Sequence, residues 1–255
     1  MATPASPLDR KRRLLLGAAA CTALAASLPL PARSQSAGRN AAAQPIGVIG
    51  AGRIGGTIGG LWVKAGHPVL FSSRHPEALK PMVAEMGTLA RAGTVAEAIA
   101  FSDVLFLATP YGALPQLSRD HAEAWRGKIV LDATNAFDHR DGPIAEETRR
   151  DGIGLTTARY LRGARVVRAF NFMGAAQFAS EHHRQGGLVA VPIAGDDKAA
   201  LDVAAQLVRD AGFEPVVVGP LSSADRFAPG GPLFRQVGTA GEFRRKMGAQ
   251  ARSAE

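Results

Sequence analysis

The chain has almost no cysteine: Cys21 is the single one in 255 residues. An internal disulfide framework and any multi-cysteine metal site are thereby excluded. It has no long apolar run either, since none reaches the roughly 18 uninterrupted residues of a spanning helix, so no polytopic membrane pattern is present. Repeats and low-complexity tracts are missing from the body of the chain. What is there is an ordinary globular composition, 46% hydrophobic and 20% charged. Such a composition argues against disorder, a collagen-like repeat and a coiled coil. The length suits one domain with a modest extension, enough to bury a real core.

The formal net charge of +8 invites a nucleic-acid reading, which the N-terminus weakens. Arg10-Lys11-Arg12-Arg13 precedes a mild apolar run from Leu14 to Leu28, which Pro29 and Pro31 then break. Ala32-Arg33-Ser34 offers small residues at a cleavage site, so residues 1–34 have the three-part layout of a secretory signal. Arg12-Arg13 followed by Leu14-Leu15-Leu16 resembles a twin-arginine signal, which predicts an exported, periplasmic protein. An uncleaved anchor or a mis-assigned start, with a cytoplasmic protein, is the alternative. Removing these residues takes away five basic residues and Asp9, which leaves 25 basic against 21 acidic. That excess is too small and too dispersed to imply nucleic acid. Residues 35–44, polar and Ala-rich, read as a tether.

From Gln44 the pattern changes. Ile46-Gly47-Val48-Ile49 reads as a short buried strand, followed at once by Gly50-Ala51-Gly52-Arg53-Ile54-Gly55 and a helix over 53–65 that stops at Gly66. A bare G-x-G-x-x-G is weak; between a strand and a helix, with a second strand at 68–72, it becomes specific. Gly50 permits the tight turn, Gly52 lets the backbone approach a pyrophosphate, and Gly55 brings helix and strand together. The helix N-terminus, at Arg53 and Ile54, offers free N–H groups to the anion.

The end of the second strand lacks the carboxylate that an NAD site uses on the ribose hydroxyls. Ser72-Ser73-Arg74 stands there instead, with no acid before Glu77. Hydroxyl donors beside a guanidinium suit a 2′-phosphate, which Arg holds bidentately, so the expected cofactor is NADP(H). Arg53 adds a second positive charge.

The alternation persists beyond this point. A helix is expected over 77–86, a strand over 88–90, a helix over 95–100, and strands over 103–108 and 128–132. A sixth strand, 165–169, is followed by a strand–helix–strand unit over 188–193, 198–211 and 214–218. The fold class is therefore α/β, a doubly wound, mostly parallel sheet of the Rossmann NAD(P)-binding kind, with a short C-terminal α/β extension. The dinucleotide-binding domain spans residues 45–221, and residues 222–255 read as an irregular, basic, solvated tail. Ligands in such sheets lie outside the carboxyl ends of strands, which makes Thr109, Pro110 and Asn135 candidates for the ribose and nicotinamide.

Taken together, these residues resemble the NADP-dependent oxidoreductases of the coenzyme F-420 (deazaflavin) family. The resemblance runs from about Ile46 to Leu221. It rests on the glycine motif, Ser73-Arg74, Thr109-Pro110-Tyr111, Ala169-Phe170-Asn171 with Ala175-Ala176-Gln177-Phe178, Ala194-Gly195-Asp196-Asp197, and Gly219-Pro220-Leu221-Ser222. It implies NADPH on Gly52–Ile54 with Ser73 and Arg74 at the 2′-phosphate, Ala169 and Asn171 at the cofactor, and hydride transfer to a deazaflavin or flavin-like acceptor. Similar modules are joined to ferric-reductase membrane domains in other proteins, so a metal chelate is also open as acceptor. Ala78 departs from the pattern, since a basic residue stands there in some relatives. Phe227-Ala228-Pro229-Gly230-Gly231-Pro232 interrupts the region where the family has a helix over the acceptor.

No acid or base for an alcohol substrate is legible. The lysines after residue 34 (Lys64, Lys80, Lys128, Lys198, Lys246) fall on expected helix surfaces, a strand start or the tail. His182-His183 reads as a surface loop, and Asp196-Asp197 as a helix N-cap rather than a metal pair. No catalytic side chain and no metal ligand is assigned. Hydride passing between two flat cofactors needs positioning more than proton transfer. The competing class is a non-catalytic, exported NADP-binding or partner-binding protein. The expected partners are a small acceptor and the export machinery, with a homodimer left open.

Overall fold

A computed structural model describes residues 43–252; the expected export signal and residues 35–42 of the tether lie outside them. Eight strands form one sheet: β1 Ile46–Ile49, β2 Val69–Ser72, β3 Ala90–Gly93, β4 Val104–Leu107, β5 Ile129–Asp132, β6 Arg165–Arg168, β7 Ala190–Gly195 and β8 Glu214–Gly219. Their order is β3-β2-β1-β4-β5-β6-β7-β8. All neighbours are parallel except β6 and β7, which run antiparallel. This is the expected doubly wound sheet, with the direction of progression reversing beside β1.

The strands are short apolar runs because both faces of the sheet are covered. Every residue of β1, β2, β4 and β5 is buried. On one face lie α1 (Arg53–Lys64), α8 (Ala175–Glu181) and α9 (Lys198–Asp210), with α2 (Lys80–Met86) against β3. The others are α3 (Val95–Phe101), α4 (Leu114–Asp120), α5 (Asp138–Asp141), α6 (Pro143–Asp151), α7 (Ile153–Tyr160) and α10 (Ala240–Arg252). Trp62 joins α1 to the sheet and to α9: its ring meets Phe106 and Phe170 edge-on, and its indole N–H donates to the Leu207 carbonyl at 2.8 Å.

Three local expectations shift. The helix expected over 77–86 is a 3-10 turn at Pro76–Leu79 followed by α2, because Pro81 starts a new helix more readily than it continues one. The strand expected at 88–90 begins only at Ala90, after the positive-φ turn at Gly87. Helices α5 to α7 fill a stretch that showed no clear period in the sequence.

The segment after Leu221 is a larger correction, since it is not an irregular solvated tail. Leu221–Phe227 forms a 3-10 helix, a turn closes through the Leu233 amide to the Arg226 carbonyl at 2.7 Å, and α10 follows. Phe227, Leu233 and Phe243 are buried. These apolar residues are spaced too irregularly to reveal a period. Thr239 and Glu242 form a capping box before α10 that the T-x-x-E spacing does signal.

Candidate functional site

The carboxyl ends of β2, β1, β4, β5 and β6 lie side by side, and each carries a sequence-derived candidate. In spatial order these are Ser73-Arg74, the Gly50–Gly55 turn, Thr109-Pro110, Asn135 and Asn171. At the usual inter-strand spacing the row spans about 19 Å.

The β1–α1 turn is shaped by what it lacks. Gly50 has a φ of +97°, and a Cβ there would fall 2.8 Å from the Thr109 methyl, so this turn and the β4 end are in contact. A Cβ on Gly55 would sit 2.0 Å from the Gly50 carbonyl oxygen. At Gly52 the opposite holds, because nothing lies within 4 Å of the Cβ position. Gly52 is also the N-cap of α1 and supplies no capping side chain, so the first-turn amides of Arg53 and Ile54 remain for an anion. Ile54 is half-buried against the core, while the Arg53 side chain is exposed and without a polar partner among the described residues.

Arg74 is likewise exposed and without a polar partner among the described residues, beyond the carboxyl end of β2. Ser73 is half-buried, and its hydroxyl accepts from the His75 amide at 3.1 Å, which leaves its own proton to donate. Ser72 differs from expectation. It is fully buried, and its hydroxyl donates to the Val48 carbonyl at 2.8 Å, so it ties β2 to β1 and is not presented to a ligand. Ala169 is also fully buried, its amide bonded to the Asp132 carbonyl at 3.1 Å, so its side chain belongs to the core.

At β4 the Thr109 hydroxyl is buried with no partner among the described residues. Pro110 is exposed and opens the turn that buries Tyr111. At β5 and β6 two amides meet: Asn135 Nδ2 donates to the Asn171 carbonyl at 2.6 Å, and Asn171 Nδ2 donates to Asn135 Oδ1 and to the Phe227 carbonyl, both at 3.2 Å. Asn171 Oδ1 is left buried without a donor. Phe170, in the left-handed region at φ 59° and fully buried among Trp62, Phe106, Phe178 and Phe213, turns the chain at this point. A bulky residue in that conformation costs about 1–3 kcal/mol and is held there by its surroundings.

Sequence reasoning missed the polar groups behind Asn135. Asp132 and Arg168 face each other in register across β5 and β6, both with fully buried side chains, and are paired at 2.5 Å. Thr157 donates to the same Asp132 oxygen, Oδ2, at 2.7 Å, and the Tyr111 hydroxyl lies 3.0 Å from Thr157 and from the Ile153 carbonyl. Burial, then the Asp132 charge, pushes the Tyr111 pKa up, so the phenol stays protonated. A second buried carboxylate, Asp141, accepts from the amides of Gly112 and Phe137 at 2.9 and 2.8 Å and from Arg140. Burial works to raise its pKa, but Arg140 and the two amides together hold it below the ordinary carboxylate range. Opposite charges at the matching last positions of two strands, Asp132 and Arg168, were the available signal.

His182 and His183 occupy a turn after α8, His183 against Gly212, and neither contacts the row of strand ends. Burial, then His183 and Lys64, keeps the His182 pKa below its ordinary value. Asp197 is the N-cap of α9, accepting from the Ala200 amide at 2.8 Å.

Fold and strand-end geometry define a dinucleotide-binding domain of the doubly wound type. Residues 45–136 match the family described as NADP oxidoreductase, coenzyme F420-dependent. The family resemblance read from the sequence is thereby borne out over the segment that holds the glycine turn, Arg74 and Thr109. A crystal structure of a hypothetical protein from Sinorhizobium meliloti is similar at 29% identity and a TM-score of 0.67, over 77% of this chain and 95% of that one. A candidate F420-dependent NADP reductase from Arthrobacter sp. FB24 follows at 27% identity and a TM-score of 0.60, over 70% and 86%. Metalloreductase STEAP3 of Rattus norvegicus is 28% identical over 71% of this chain, which spans only 35% of that protein's length. An imine reductase from Bacillus cereus, at 18% identity and a TM-score of 0.53, shares the fold alone. The family match covers residues 45–136 of the 255, and together these likenesses support NADP-dependent oxidoreductase chemistry at the coarse level.

Proposed function

We propose that this chain binds NADPH along the carboxyl ends of β2, β1, β4, β5 and β6 and passes its hydride to a deazaflavin, flavin-like or metal-chelate acceptor. The observation that carries the reading is the row of unsatisfied groups at those ends. The uncapped α1 amides and the open Gly52 suit a pyrophosphate, and the unpartnered Arg74 suits a 2′-phosphate. The buried Thr109 hydroxyl and Asn171 Oδ1 each require a partner. Asn171 Oδ1 is an acceptor, and a nicotinamide carboxamide supplies a donor.

NADPH, when bound, supplies the hydride. The chain's own residues then bind and orient. Arg74, Ser73 and Arg53 select the phosphorylated ribose, the α1 N-terminus holds the diphosphate, and Thr109 with Asn135 and Asn171 fixes the nicotinamide end. No side-chain proton transfer is required of them.

Anaerobic NADPH oxidation by the full chain, with deazaflavin, FMN and a ferric chelate as parallel acceptors, tests the reading. Turnover with one of them identifies the acceptor class. NADPH binding without turnover on any assigns the chain to the non-catalytic NADP-binding class. Residues 1–34 are read as a twin-arginine export signal that carries the folded, NADP-loaded protein to the periplasm. Protein found only in the cytoplasmic fraction, or recovered from the periplasm free of nucleotide, would overturn that part.

A further inference from the structure

Thr134 and Asn135 are gripped from behind. The Thr134 amide and hydroxyl both donate to Asp132 Oδ1, at 2.9 and 2.6 Å, and the Thr134 carbonyl accepts from Arg168 Nη2 at 2.5 Å. The next carbonyl, that of Asn135, accepts from Arg140 Nη2 at 2.6 Å, and Arg140 is held by Asp141. Two Arg–Asp pairs from different parts of the fold thus hold consecutive carbonyls of one loop. The first pair is wholly buried, and the second has a buried carboxylate with a partly exposed guanidinium.

Burying Asp132 with Arg168 carries a desolvation penalty that apolar residues of equal volume would avoid, so stability alone does not explain the pair. A forked guanidinium can do what an apolar side chain cannot, since it bonds a carboxylate and a carbonyl at once in fixed geometry. Asn135 is fixed on its other side by the reciprocal amide bonds to Asn171, whose Oδ1 remains the buried acceptor without a donor.

We infer that Asp132–Arg168 and Asp141–Arg140 are positioning pairs: they lock the Thr134-Asn135 backbone so that the Asn135–Asn171 amides meet the nicotinamide half of the cofactor. This rests on the NADPH reading above. Neither pair touches the cofactor in this arrangement; each acts through Asn135.

The test compares affinities of the full chain for NADPH and for 2′,5′-ADP, which lacks the nicotinamide half, by calorimetry. Arg168→Lys keeps the charge but loses the planar fork whose two nitrogens bond Asp132 and the Thr134 carbonyl. Arg140→Gln leaves the buried core pair untouched, and it decides the matter if Arg168→Lys does not fold. The expected result is that NADPH binding weakens about tenfold, the value of a lost hydrogen bond to a well-placed group, while 2′,5′-ADP binding stays within about twofold. A purely structural role would weaken both ligands together, and that outcome, or no change in either, overturns the proposal. Wild-type protein that binds neither ligand would overturn the NADPH reading itself, which separates the two failures.

Discussion

The two halves of the ligand edge are built by opposite means. Around β1, α1 and β2 the site is made of omissions: a glycine turn, an uncapped helix and a cation without a partner. Around β5 and β6 it is made of completions, where buried charges and amides satisfy one another, although Asn171 Oδ1 and the Arg168 Nε are left over among the described residues. The first half leaves its groups open, whereas in the second half most buried polar groups are already bonded to one another. Under the proposed NADPH reading, a preorganised β5–β6 end suits a nicotinamide that must be placed within a fraction of an ångström.

The sharpest way to break this contrast is to leave a charge of the completed half without its partner. Arg168→Ala strands Asp132 in the core and is expected to lower stability by about 3–5 kcal/mol in chemical denaturation. A loss below 1 kcal/mol would mean that the pair does not hold this half together.

The next effect belongs to the glycine turn. Gly55→Ala places a Cβ about where the Gly50 carbonyl oxygen stands, 2.0 Å away, so α1 must move off β1. A stability loss of about 1–3 kcal/mol in a thermal melt is expected from such overpacking, together with loss of NADPH binding. Retained binding would show that the turn adapts further than its packing implies.

Arg74→Ala probes the anchoring cation without touching the fold. A charge-assisted contact is worth about 1.5–3 kcal/mol, so NADPH should bind at least about tenfold more weakly while NADH changes little in titration calorimetry. Equal losses for both would remove Arg74 from the 2′-phosphate.

The smallest effect lies away from both halves. Asp151 is held at a pKa of about 2, below its ordinary value of 3.8, first by the bond from Arg150 and then by that from Arg159. A depressed folded-state value means that its contribution is complete above pH 3.8 and disappears as pH falls towards 2. Melting temperatures of wild type and Asp151→Asn should therefore converge across that window; a constant gap would exclude the ion pair as the cause.

The anchoring half was legible because its chemistry is local. Gly50, Gly52 and Gly55 with the flanking strand and helix, and the missing carboxylate at Ser73-Arg74, all sit within one strand–helix–strand unit. Ser72 and Ala169 fall within the part of the sheet that is covered on both faces. Which way a residue at a strand end points depends on where the ladder stops, and here both end up inside. The Asp132–Arg168 pair spans 36 residues and becomes visible only when β5 and β6 are placed in register. The segment after Leu221 was misread for a related reason: Phe227, Leu233 and Phe243 are buried by neighbours far away in the chain.

By itself, the sequence determined the eight strands in order, the helices between the first of them and the glycine turn proposed to hold the pyrophosphate. Each of these follows from periods, caps and glycines that act over a few residues. Tertiary structure decided how the β5–β6 end is held. Pairing Asp132 with Arg168, facing Asn135 with Asn171 and laying Phe227 against them all require strands brought together from distant parts of the chain. Burial then makes each unsatisfied charge costly enough to fix one arrangement.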